Sequence, residues 1–84
     1  MANIDDEIEQ LKTEIKRLGA KPADGNGVAA VNFGVLVRDD RCSNIFEALV
    51  GTLKAAKKRG VITYNSELLL QGVHDEVSIV LLKE

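Results

Sequence analysis

An α+β fold follows from three observations on this 84-residue sequence. An apolar stripe at helical spacing opens the chain, and a broader helical face runs through its middle. Three short runs rich in valine and isoleucine, at 28–33, 61–64 and 77–82, are bounded by glycine-bearing turns, as strands are. Surface scaling gives a chain of this length one core, with about 60% of its extended surface buried, so 1–84 is expected to form a single domain.

In the first element Ile4, Ile8, Leu11, Ile15 and Leu18 recur at steps of four and three, which places them on one side of a helix. Asn3 with Asp6 supplies a cap, Lys16 and Arg17 suit the negative end, and Gly19 ends the helix. Two heptads are short for a coiled coil, so the stripe is expected to pack on its own domain, leaving a monomer. Lys21 to Gly27, with Pro22, Asp24-Gly25 and Asn26-Gly27, reads as a loop. Val28 to Phe33 reads as a strand. Gly34-Val35-Leu36-Val37 either extends it or begins a short helix, and Asp39-Asp40 closes the segment.

A long helix is then predicted from a Ser43 or Asn44 cap, Asn44 with Glu47 being the better pair, to Lys57-Lys58-Arg59 and a stop at Gly60. Its buried face is Ile45, Phe46, Leu49, Val50, Leu53 and Ala56, and Gly51 within it suggests a close packing contact. Val61 to Tyr64 is a strand, Asn65-Ser66 a turn, and Leu68-Leu69-Leu70 a continuation of the ribbon past a bulge. A second turn surrounds Gly72, and Val77 to Leu82 is the last strand. Helix, strand, short helix or turn, long helix and β-hairpin is the order of a winged helix.

Composition narrows the function. Apolar residues make up 45% of the chain, which argues against disorder. The aromatics Phe33, Phe46 and Tyr64 are too few for a base-stacking platform. Cys42 alone cannot form an intrachain disulfide, the N-terminus is acidic, and no apolar run approaches the roughly 20 residues of a membrane span. These features point to the cytosol or nucleus, with the cytoplasm as the default, and away from membranes. The net charge of −2 is distributed unevenly, with Asp5, Asp6, Glu7 and Glu9 at the start and Lys54, Lys57, Lys58 and Arg59 in the middle.

Chemistry finds few footholds. His74 and Cys42 lack the partners of a zinc site or a thiol protease, although a helix start beside Arg41 would lower the thiol pKa. In its structural role His74 is a loop residue bonded to backbone, and Cys42 is partly buried at a helix start. The glycines match no phosphate loop, and Asp5-Asp6, Asp39-Asp40 and Asp75-Glu76 are adjacent pairs whose side chains diverge. No enzyme, cofactor or metal is expected. The fold order suggests DNA, but a wing bearing Asp75 and Glu76 and a helix start bearing Ser43, Asn44 and Glu47 do not suit phosphate contact. A nucleic-acid-binding winged helix is the alternative to a module that docks on protein.

Longer blocks carry a resemblance. Phe33-Gly34-Val35-Leu36, Arg38-Asp39-Asp40-Arg41-Cys42, the run from Asn44 to Lys58, the run from Glu67 to Asp75 and Arg17-Leu18-Gly19 together resemble the Costars family over nearly the whole chain. Residues 22–30 are longer and richer in Gly and Ala than in animal members, and Asn65-Ser66 stands where Pro-Gly is common. The resemblance implies a winged-helix-like cytosolic protein related to the C-terminal actin-binding domain of a striated-muscle activator of Rho signalling. It also implies a role in actin dynamics through contact with filamentous actin, the severing protein cofilin, or both, and brings no catalytic residues. The acidic patches of actin and its regulators make Lys54, Lys57, Lys58 and Arg59, with Arg38 and Arg41, the expected contact set. Tyr64 and exposed members of Leu68–Leu70 are the candidate anchors unless the core claims them.

Overall fold

The computed structural model describes residues 4–22, 25, 27–46, 48–66 and 68–83. The expected cap at Asn3, loop positions Asp24 and Asn26, and Glu47 as partner of Asn44 lie outside them. Among the described residues, four helices and three strands follow in the order α1 (Ile4–Leu18), β1 (Ala29–Asn32), α2 (Phe33–Arg38), α3 (Asp40–Ile45), α4 (Leu49–Lys58), β2 (Ile62–Thr63) and β3 (Ser78–Leu81). The sheet order is β1-β3-β2, antiparallel throughout, with Val31 opposite Ile79 and Ile62 opposite Leu81. The fold is therefore α+β and winged-helix-like. No helix among the described residues is long and apolar enough to cross a membrane.

The first helix has the expected length but a rotated buried face. Ile8, Leu11 and Ile15 are buried, Leu18 is half-buried and Ile4 is exposed, while Glu7 and Glu14 are taken inside. Gly19 then lets the chain fold flat against β1, where Ala20 and Ala30 exchange hydrogen bonds of 3.0 and 2.8 Å. The segment after β1 takes the helical alternative, with Phe33 at its start fully buried and its N–H donating to Val77 O at 2.9 Å.

The long helix of the sequence reading is two helices. Asp39, read there as closing the preceding segment, is the N-cap of α3 and accepts the Cys42 N–H at 3.0 Å. Ser43 and Asn44 lie inside α3, and the backbone extends at Phe46 before α4 begins. The six apolar positions from Ile45 to Ala56 span more than one helical stripe. The break lets Cys42 and Phe46 reach the core from α3 while Leu53 and Ala56 reach it from α4, leaving Ile45, Leu49 and Val50 half-buried.

Gly51 does not mark a close contact. It is exposed, and an added Cβ would meet only Ala48 Cβ at 3.7 Å. Its φ is not positive, so alanine costs no strain. Gly51→Ala is expected to raise stability by about 1 kcal/mol, which calorimetry would register as a melting point roughly 4–8 °C higher. An unchanged or lower melting point would show that the open face of α4 carries a constraint.

Leu68–Leu70 do not continue the ribbon. Leu69 enters the core, whereas Leu68 and Leu70 are 56% and 51% exposed. The wing folds back through a turn in which Leu70 O accepts the N–H groups of Val73 and His74.

Candidate functional site

The basic residues divide into two groups. Lys54, Lys57 and Lys58 recur at helical spacing on α4, which brings them to one side. The turn at Gly60 carries the chain back so that Tyr64 lies against them. Lys57 Nζ sits 4.3 Å from the centre of the Tyr64 ring and donates to Tyr64 O at 2.8 Å. These four residues and Ser66 line a shallow depression of about 450 Å³. Ser66 Oγ donates to Leu68 O, which places the exposed Leu68 beside it. Burial pushes the Tyr64 phenol above its ordinary pKa, and the ring is part of the core. Tyr64 thus forms the floor and backs Lys57, while Lys54 and Lys58 are exposed.

The arginines are committed elsewhere. Arg59 pairs with Asp5 of α1, and Arg38 pairs with Asp75 of the wing. Asp75 also accepts the Gly72 N–H at 2.7 Å, so this wing carboxylate is a structural tie as well as an acidic charge. Arg41 lies 3.5 Å from Glu14. Sequence reasoning grouped all seven residues, and the fold brings together Lys54, Lys57, Lys58 and Tyr64.

A polar cluster absent from the sequence reading joins α1 to α3. Glu14, buried in α1, receives Arg17 Nε at 2.8 Å and Arg41 Nε at 3.5 Å, while Arg17 also reaches Asp39 at 2.6 Å. The Glu14 hydrogen bond, then Asp39, raises the Arg17 pKa. The Cys42 N–H, then Arg17, holds the Asp39 carboxyl below its ordinary range. The helical spacing of Glu7, Leu11 and Glu14 was the signal for this second stripe, since Leu11 has no exposure at all.

Cys42 lies next to this cluster and is not activated. It is buried within the first turn of α3, and burial, with Asp39 and Glu14 nearby, pushes its thiol up to about 12. This reverses the expectation of a lowered pKa, because loss of solvation and neighbouring carboxylates outweigh the helix start. Glu14, Asp39 and Cys42 each place a metal-ligating atom within 4.8 Å of the others. Arg17 and Arg41 already bind the carboxylates, and the thiol would have to ionise against that shift. His74 accepts the Leu70 N–H on Nδ1 at 3.0 Å, the backbone-bonded loop role expected of it.

Comparisons with known proteins agree over nearly the whole chain. A family model described as Costars matches residues 3–82. A Costars family protein of Picea sitchensis is 69% identical over 81 residues, covering 96% of this chain and 83% of the relative. The Costars family protein ABRACL of Homo sapiens is 62% identical over 82 residues, covering 98% of this chain and 99% of the relative. The solution structure of human HSPC280 protein is similar at a TM-score of 0.86 and 60% identity, over 99% of this chain and 95% of that one.

Proposed function

The chain belongs to the Costars family, and on that premise we propose that it is a cytoplasmic single-domain regulator of the actin cytoskeleton. It acts as a monomer, by contact with filamentous actin, cofilin or both, and without catalysis. The observation that supports a location for this contact is the convergence of Lys54, Lys57 and Lys58 around Tyr64, next to exposed Leu68. Three ammonium groups on one side of α4 attract an acidic surface and speed its approach, and an exposed leucine beside them gives that surface an apolar contact. Arg38, Arg41 and Arg59 remain in the proposed contact set outside this depression, each already held by a carboxylate.

Co-sedimentation with filamentous actin, with and without cofilin, tests the reading. The native chain is expected to pellet with filaments or to change cofilin-dependent severing. Lys54→Glu with Lys58→Glu is expected to weaken the effect roughly tenfold, without loss of fold, because both side chains are exposed. The reading fails if the native chain neither binds nor alters filaments at tens of micromolar. Charge reversal that leaves binding untouched would move the contact to another face. Salt-sensitive binding to random duplex DNA by the native chain would favour the winged-helix alternative.

A further inference from the structure

Glu7 is buried in the first half of α1, with 7% exposure, and its buried Oε1 has no hydrogen-bond partner among the described residues. A buried carboxylate oxygen in that state costs stability. Glu7 also lines a depression of about 510 Å³ between the beginnings of α1 and α4, together with Ile4, Ala48, Gly51 and Thr52. Ala48 gives α4 no side-chain cap, so Glu7 brings negative charge to the positive end of that helix. The Thr52 hydroxyl donates to Ala48 O at 3.1 Å, which leaves its oxygen able to accept. The named side chains of this depression supply acceptors and apolar surface. What they lack is a cationic donor.

We propose that this depression is a docking pocket for one basic side chain, lysine or arginine, of a protein partner. The charged head pairs with Glu7, and its methylene stem lies along the exposed Ile4 and Ala48. Gly51 leaves the far wall open, since only Ala48 Cβ lies near the place of its missing side chain. A metal ion is a poorer fit, because Glu7 and Thr52 alone supply side-chain oxygens. The pocket is separate from the lysine depression and has the opposite charge preference, so it does not depend on the actin reading.

The test is amide-shift mapping on the full chain with a capped pentapeptide, Ala-Ala-Arg-Ala-Ala, against Ala-Ala-Gln-Ala-Ala. The arginine peptide is expected to shift residues 4–8 and 48–52, with an affinity that falls as salt rises. Glu7→Gln is expected to keep the fold and to lose roughly tenfold or more in affinity, the worth of a hydrogen bond to a charged group. Glu7→Gln is expected to leave the melting point within a few degrees of the native value, because relief of a buried unpaired charge offsets its loss from the start of α4. Equal shifts with the glutamine peptide, shifts that survive Glu7→Gln, or no shifts would overturn the proposal. Spermine binding at Glu7 as tightly as the arginine peptide would overturn the assignment to a protein side chain.

Discussion

Replacing Gly19 with alanine is expected to lower stability by about 3 kcal/mol, mainly through crowding of the backbone. A Cβ built there would lie 2.2 Å from Ala30 O, 2.7 Å from Ala30 C and 2.8 Å from Ile15 O. All three are main-chain atoms, so no flexible side chain can swing aside. Relief requires β1 to move away from the end of α1, which breaks the two hydrogen bonds between Ala20 and Ala30. Each such bond contributes about 1 kcal/mol, and the sum is a large share of the about 4–13 kcal/mol available to a chain of this length. Urea titration should give a lower midpoint with an unchanged slope. A midpoint within error of the native value would mean that α1 and β1 are not fixed against each other as described.

The second large effect is expected at Phe33. Its ring is fully buried where β1 becomes α2, among the largest side chains in the core. Phe33→Ala removes the ring and leaves a cavity, a change worth about 3–5 kcal/mol in well-packed interiors. For a domain of this size that loss approaches the whole of its stability, so the variant should be partly unfolded at 37 °C by circular dichroism. Phe33→Leu retains much of the volume and should remain folded with a smaller loss. Equal, small effects from both substitutions would show that the surrounding core collapses into the space.

Much of this architecture was legible because local rules and tertiary packing agree. The helical spacing that opens α1 and the pairing of β2 with β3 follow their periodicities. The break between α3 and α4 was hidden because Asp39 has two meanings. Beside Asp40 it looks like a segment end, whereas its carboxylate is committed to the Cys42 N–H. The lysine depression was largely readable, since Lys54, Lys57 and Lys58 obey helix geometry and only Tyr64 required the chain to return. The ion pairs of Arg38, Arg41 and Arg59 were hidden because their partners Asp75, Glu14 and Asp5 are far away in sequence. Glu7 stands among the acids at the start of the chain, and only its helical spacing with Leu11 and Glu14 sets it on the buried side in place of Ile4.

The antiparallel sheet depends on its middle member in a further way. Strands β1 and β2 bond to β3 and not to each other. Until residues 78–81 arrive, neither earlier strand has a neighbour within the sheet, and the apolar sides of Val31 and Ile62 have nothing to align them. A nascent chain held on the ribosome with those residues still inside the exit tunnel therefore cannot form the sheet. Its closure spans about fifty residues and must be reached against chain entropy before any ladder bond repays it. Four residues thus decide when, as well as whether, the domain becomes a folded object during synthesis.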